Sequence, residues 1–350
     1  MAAVVAFMIC FFIGPLVIRK ILSSGMVDEV REDGPSTHKH KPVTPTMGGL
    51  IFIPAIVIST LLFSRLDLPH TWIVLIAMIW MGVTGFVDDI LKKKRGKDGL
   101  DGKDKLLSQM TLGLLVGIVV FQFPQLLSQQ FADNLTFSTV PFFKNLSLDF
   151  APIAGLGFTY VIMVIIVITG TSNSVNLADG LDGLATGLVA IIAVGLAILA
   201  YATGNVVWSE YLHIIYLPGT GELTVFCGAL LGASIGFLWY NSPPASVYMG
   251  DVGSLALGAG IAAVAILAKK ELFLIILGGV LVTESLSVIM QRYYFKYTRK
   301  RTGTGIRLFK MAPIHHHAEL SGWAETKVVI RFWIIGLILL FLTLTSFKLR

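Results

Sequence analysis

The sequence predicts an all-α protein that crosses a membrane about ten times, and three observations predict it. Of 350 residues, 55% are hydrophobic and 14% charged, with a mean hydropathy of +0.79, which lies outside the range of soluble domains. Apolar stretches cover roughly 2–18, 47–64, 71–87, 106–123, 152–172, 183–201, 222–240, 252–268, 272–290 and 332–347, each near the length a bilayer core requires. The 27 Lys and Arg residues also divide unevenly between alternate loops, 21 on one face and six (Arg65, Lys144, Lys269, Lys270, Lys348, Arg350) on the other. The positive-inside bias therefore puts the loops at about 19–46, 88–105, 173–182, 241–251 and 291–331 in the cytoplasm, with both termini outside.

The first apolar stretch lacks a basic leading region and a small-residue cleavage site, and its charges follow it, so it reads as a retained span rather than a signal peptide. The second opens at Met47, within TPTMGG. The third runs to Asp88 and Asp89, followed by Lys92, Lys93, Lys94 and Arg95, and Lys103 and Lys105 lead into the fourth. Between the fourth and fifth, FSTVPFF and NLSLDF alternate around polar turns and suit a short hairpin. NLADGLDG joins the fifth to the sixth. Segment 202–221 suits a short interfacial helix with Trp208 and Tyr211 at headgroup level. NSPPASVYMGDVGS joins the seventh to the eighth, Glu284 lies within the ninth, and MAPIHHHAEL precedes the tenth. No repeat or Pro/Ser-rich linker divides the chain, which reads as one integral domain, 1–350.

Cys10 and Cys227 both fall inside spans, so neither a disulfide framework nor a Cys-rich metal site is available. The formal charge of +6 is concentrated beside helix ends, where topology and anionic headgroups favour it, and this argues against nucleic acid as the partner.

All the polar motifs fall on the face predicted to be cytoplasmic. Asp88 and Asp89 close a helix whose C-terminal dipole already disfavours each carboxylate by roughly 0.3–1 kcal/mol. Their compensating charge is either the Lys92–Arg95 cluster or a divalent cation shared with a phosphate. Asn176, Asp179 and Asp182 share a glycine-punctuated turn without Lys or Arg. Asp182 reads as an N-cap of the sixth span, whereas Asn176 and Asp179 have no such structural duty and mark a functional site. Asp251, just ahead of the eighth span, reads either as a cap or as a Mg²⁺ ligand beside a diphosphate. In His315–His317 a helix would fan the rings apart by about 100°, so anion contact is the stronger reading than metal ligation, with a solvated polar turn as the alternative. Lys41, Lys103 and Lys105 either snorkel to headgroups or neutralise a diphosphate. Glu284 reads as a carboxyl bonded to a neighbouring helix. With no nucleophilic Cys and no GxSxG turn, the inventory suits phosphoryl transfer through positioning and charge neutralisation.

TPTMGG, FVDDI, NLADGLDG, the block from FLWYNS to MGDVGS, and RLFKMAPIHHHAEL, in this order from about Gly14 to Arg350, closely resemble the polyprenyl-phosphate hexosamine-1-phosphate transferases. The HHH block resembles the phospho-N-acetylmuramoyl-pentapeptide branch. The resemblance implies a multi-pass protein of the bacterial cytoplasmic membrane whose active site faces the cytoplasm. Such an enzyme uses Mg²⁺ to transfer phospho-MurNAc-pentapeptide from UDP-MurNAc-pentapeptide to undecaprenyl phosphate, giving lipid I and UMP. It implies Asp88, Asp89 and Asp251 as the essential acids, Asp251 as the direct Mg²⁺ ligand, and His315 as a catalytic or diphosphate contact. Lys41, Thr46, Asn176, Asp179, Asp182, Asn241, Ser254, Gln291, His316 and His317 map to substrate-binding positions, Lys105 maps to a lysine near the metal, and Tyr248 is expected to stack on uracil. The chain enters its first span without the short leader expected of the family. A homodimer is compatible with all of this. The rival readings are a GlcNAc-1-phosphate transferase acting on the same lipid and, from another class, a secondary transporter, whose sites usually lie at the midplane between repeats.

Overall fold

The computed structural model describes residues 1–28, 44–95, 99–143, 146–150 and 158–348. The first helix, α1 (Ala2–Ser23), is followed by two two-residue strands, β1 (Val27–Asp28) and β2 (Thr44–Pro45), which pair antiparallel. The next helix, α2 (Gly49–Phe63), has 15 residues, about 22 Å at 1.5 Å per residue and short of a ~30 Å hydrocarbon core. Its start is inside the protein: the Gly48 and Gly49 N–H groups donate to the carbonyls of Tyr248 and Met249 at 2.8 and 3.0 Å. A Cβ on either glycine would collide with Phe237 or with the Gly253 backbone.

Then come α3 (Pro69–Arg95), α4 (Gly102–Gln122) and the short α5 (Gln129–Asp133). The hairpin expected between the fourth and fifth spans is present, with β3 (Phe137–Thr139) antiparallel to β4 (Ser147–Asp149). After α6 (Phe158–Ala178) and α7 (Leu184–Gly204) comes a short helix within the segment where one was expected, α8 (Val206–Leu212), with Trp208 and Tyr211 exposed. Two long helices follow, α9 (Leu223–Asn241) and α10 (Gly250–Leu267). The ninth span departs from expectation. It is two helices, α11 (Glu271–Leu277) and α12 (Gly279–Thr302), bent by 84° at the Gly278–Gly279 pair, where missing side chains let the helix break. Past Gln291, α12 continues with Tyr293 and Tyr297 largely exposed. The chain ends with α13 (Ile314–Leu320) and α14 (Glu325–Lys348). Among the described residues, eight helices are long and apolar enough to cross a membrane, and the bent pair makes a ninth.

At the centre stands α10, 94% buried over its apolar length and packed on α2, α3, α6 and α7. Its sequence, GDVGSLALGAGIAAVAIL, explains the position, because apolar side chains gain nothing by leaving lipid for one another and small residues let backbones approach. Gly258 lies against the Ser172 backbone of α6, and Gly85 of α3 lies against the Asp251–Val252 backbone.

At the end opposite the motif-bearing loops, Lys269 and Lys270 are fully buried. The Lys269 ammonium lies 4.1 Å from the Tyr160 ring centroid and 4.6 Å from that of Phe131. Lys270 donates to Thr139 Oγ1 at 3.1 Å, and Ser138 Oγ donates to Glu271 at 2.6 Å. Ring faces and the adjacent carboxylate replace the lost water, and the hairpin is thereby tied to the start of α11.

Candidate active site

The three acids meet because two glycines allow it. Gly85 brings α3 onto the first turn of α10, and Gly250 (φ 72°) turns the chain where a Cβ would meet Asp89 Oδ2 and Thr46 Oγ1. Asp88 is fully buried and accepts from the Leu100 N–H at 2.6 Å. Asp89, 6% exposed, accepts from the backbone N–H groups of Asp251 (3.4 Å) and Val252 (3.3 Å). These are N-terminal donors of α10, so the positive end of that helix stabilises the Asp89 carboxylate.

Two lysines complete the charge balance. Lys92 Nζ lies 2.8 Å from Asp88, 3.4 Å from Asp89 and 2.8 Å from Asp251. Lys105 Nζ, from α4, lies 2.9 Å from Asp88 and 2.5 Å from Asp251. Asn176 of α6 donates to Asp251 Oδ1 (2.5 Å) and to Ser254 Oγ (2.9 Å), and Ser254 in turn bonds the Gly250 carbonyl. One oxygen from each of Asp88, Asp89 and Asp251 falls within 4.8 Å of the others.

Several sequence expectations change here. The helix bearing Asp88 and Asp89 continues to Arg95, so the pair is inside α3 rather than at its end. Of the following basic cluster, Lys92 reaches the acids, whereas Lys93 turns to the Ser24 carbonyl. Asp251 is the second residue of α10 and not its cap, which is Met249. Nor does Asp182 cap α7; Gly183 stands there without a side-chain cap, and Asp182 Oδ2 instead accepts from the Ala245 N–H at 3.0 Å.

The loop between α6 and α7 joins the acids to two further features. At one point Gly180 meets the ring of His315, which is fully buried with Nδ1 3.0 Å from Glu284 Oε2. The role expected of Glu284, bonding to a neighbouring element, is therefore met by α13. The histidines lie on a helix, yet the His315 and His316 rings meet edge-on with centroids 4.1 Å apart; His316 Nδ1 lies 2.9 Å from Glu319, and His317 Nδ1 accepts from the Lys310 N–H at 3.1 Å. Farther along, Asp182 borders a cavity of about 250 Å³ with Pro243, Pro244, Tyr248, Glu325 and Thr326. Glu325 accepts from the Asp182 N–H at 3.2 Å.

Other expected contacts are engaged within the protein. Asn241 is buried, accepting from Thr186 Oγ1 (2.7 Å) and donating to the Val247 carbonyl (3.0 Å), and so it shapes the loop that carries Tyr248. Gln291 accepts from the N–H groups of Leu308 and Phe309, both at 2.9 Å, pinning the segment before α13. Asp179 lies one turn past Asn176, its N–H on the Val175 and Asn176 carbonyls. Thr46 lies beside Gly250, and Lys41 lies outside the described residues. Glu325 was not legible as a site residue, because a lone Glu opening an apolar helix reads as a topological flank.

Three acids, two lysines and an amide are thus gathered at one end of a helical bundle long enough to cross a membrane, and known relatives place this chain among the membrane-embedded transferases. The model of glycosyl transferase family 4 matches residues 71–269. The phospho-N-acetylmuramoyl-pentapeptide-transferases of Chloroherpeton thalassium and Chlorobium luteolum are each 48% identical over 350 residues, all of this chain and 92% of the relative. That of Chlorobaculum tepidum is 47% identical over the same shares. The chain belongs to the phospho-N-acetylmuramoyl-pentapeptide-transferase family.

Proposed function

We propose that this protein transfers phospho-MurNAc-pentapeptide from UDP-MurNAc-pentapeptide to undecaprenyl phosphate, producing lipid I and UMP for peptidoglycan synthesis at the cytoplasmic face of a bacterial inner membrane. The observation that carries the reading is the convergence of Asp88, Asp89 and Asp251 with Lys92 and Lys105 at one end of the bundle, in a chain of this family. The excess of basic residues in the loops at that end supports the cytoplasmic orientation.

The donor set suits Mg²⁺. Three carboxylates offer hard oxygens within 4.8 Å of one another, as this cation prefers when a substrate phosphate completes its shell. Asp251 would hold the ion directly, with Asp88 and Asp89 beside it. When bound, it neutralises charge on the diphosphate.

The chain's own groups then have distinct tasks. Lys92 and Lys105 bridge Asp88 and Asp251, and their long stems let them pass from these carboxylates to phosphate oxygens. Asn176 fixes one oxygen of Asp251 through its amide. An acceptor phosphate monoester, with a second pKa of about 6, is already mostly dianionic at neutral pH, so Asp88 serves chiefly to place it. Its oxygen forms a bond to the sugar-bearing phosphorus while the bond from that phosphorus to the bridging oxygen breaks, and UMP departs with the electron pair. His315, braced by Glu284, faces the loop of Asp179 and contacts the diphosphate, and the Tyr248 ring carries the uracil.

Purified protein supplied with undecaprenyl phosphate is expected to release UMP from UDP-MurNAc-pentapeptide and not from UDP-GlcNAc. Release from UDP-GlcNAc alone would overturn the assignment. Capture of a phosphorylated enzyme in the absence of lipid would replace the direct displacement with a two-step route.

A further inference from the structure

Lys105 reaches Asp88 and Asp251 from α4, whereas Asn176 reaches Asp251 from α6. One turn deeper in the bundle the same two helices meet again. Gln109, four residues past Lys105 and on the same face of α4, is fully buried, and its Oε1 accepts from Asn173 Nδ2, three residues before Asn176, at 2.8 Å. Asn173 Nδ2 also donates to the Thr169 carbonyl at 2.9 Å. Both helices are of membrane-spanning length. Gln109 lies about 10 Å along α4 from its first residue, so the amide pair is inside the span rather than at its mouth.

The pair is a poor device for stability. Gln109 Nε2 has no partner among the described residues, and an amide donor buried unpaired costs more than one shared bond returns. A polar residue retained at that cost inside a span marks a function. Farther along, the contact between α4 and α6 is apolar, with Gly113 against the Ile165 backbone and Gly117 against Val161. Lipid tails are as apolar as those side chains, so the contact brings the helices close, while the amide bond, being directional, selects one depth and one rotation of α4. On its other side α4 is tied to α3 at the same level: the Ser108 hydroxyl lies 2.7 Å from that of Thr84, one turn before Asp88.

We propose that Gln109 and Asn173 are positioning residues for the transfer: their amide bond fixes α4 against α6 and so holds the Lys105 ammonium on Asp88 and Asp251, opposite Asn176. This rests on the transferase reading. Both residues act through Lys105 and Asn176, which touch the acids, and not on substrate.

In the full chain in nanodiscs, Q109L removes both the bond and the unpaired donor. Its thermal midpoint is expected to hold or rise, while kcat for UMP release falls about tenfold, as for a displacement of a charged group by less than 1 Å. The exchange Q109N/N173Q restores an amide pair of the same combined length and is expected to recover most of the wild-type turnover. T111L, at a residue whose hydroxyl bonds the Leu107 carbonyl of its own helix, is expected to change nothing. Wild-type turnover in Q109L, or an exchange variant no faster than Q109L, overturns the proposal. Acetic anhydride labelling, followed peptide by peptide, does not depend on turnover. The Lys105 side chain is 22% exposed, and in Q109L its amine is expected to react about threefold faster as its ion pairs loosen, with Lys92 no faster. Equal labelling of Lys105 in Q109L and wild type would sink the proposal. Should Q109L fail to fold, N173L removes the same bond from its half-buried side and answers the same two measurements. Should wild-type protein release no UMP, the transferase reading fails, while the labelling still decides whether the amide pair places Lys105.

Discussion

Replacing Gly85 by Ala adds one methyl group at the point where α3 crosses the start of α10. The new Cβ would lie 2.5 Å from Val252 N and closer still to the Asp251 carbonyl, all backbone atoms that no rotamer can move aside. Restoring ordinary contact, which begins near 3.4 Å, requires the two helices to separate locally by roughly 1 Å, and overpacking of this kind costs about 1–3 kcal/mol. The same displacement pulls Asp88 and Asp89 away from Asp251, and a 1 Å misplacement of reacting groups costs on the order of 10²-fold in rate. We expect G85A to insert and to keep its helical circular dichroism, while its thermal midpoint falls by several degrees (~1–3 kcal/mol) and UMP release falls about 100-fold. Activity within threefold of wild type, at unchanged stability, would refute the argument that backbone proximity assembles the acids.

Three further outcomes follow from the same geometry. Chelation of divalent cations is expected to stop UMP release, and added Mg²⁺ to restore it; undiminished turnover in excess EDTA would remove the metal from the mechanism. Because His315 and Glu284 are both fully buried and 3.0 Å apart, E284A should cost about 1–3 kcal/mol for the orphaned ring nitrogen. The double change with H315A should then cost less than the sum of the single changes in a thermal-unfolding cycle, and strict additivity would deny the coupling. Y248F is expected to match wild type, whereas Y248A should raise KM for the nucleotide sugar about tenfold with the lipid KM unmoved, the scale of a lost aromatic stack; equal behaviour of the two variants would take the ring out of nucleotide binding.

What could be read directly from the chain was whatever is local or periodic. Spans announce themselves because an apolar run of fixed length is required to cross hydrocarbon, and the hairpin of β3 and β4 and the short helix α8 announce themselves by alternation and by Trp208 and Tyr211. The motifs naming Asp88, Asp89, Asn176, Asp251 and His315 were equally legible. What the sequence left open was which groups touch. Asp251 meets Asn176 across 75 positions and Asp89 across 162, and that meeting is set by glycines such as Gly85 and Gly250, whose meaning lies in the backbone opposite them. Only the packed bundle selected Lys92 from a basic cluster, added Lys105 from the next helix and gave Asn241 a loop-holding task. It also buried Lys269 and Lys270 among aromatic rings and broke the ninth span at Gly278. Hydropathy and charge bias record the surroundings a segment must enter, whereas the partner of a buried polar group is fixed by the close approach of helices distant in sequence, where an unpaired charge is too costly to remain.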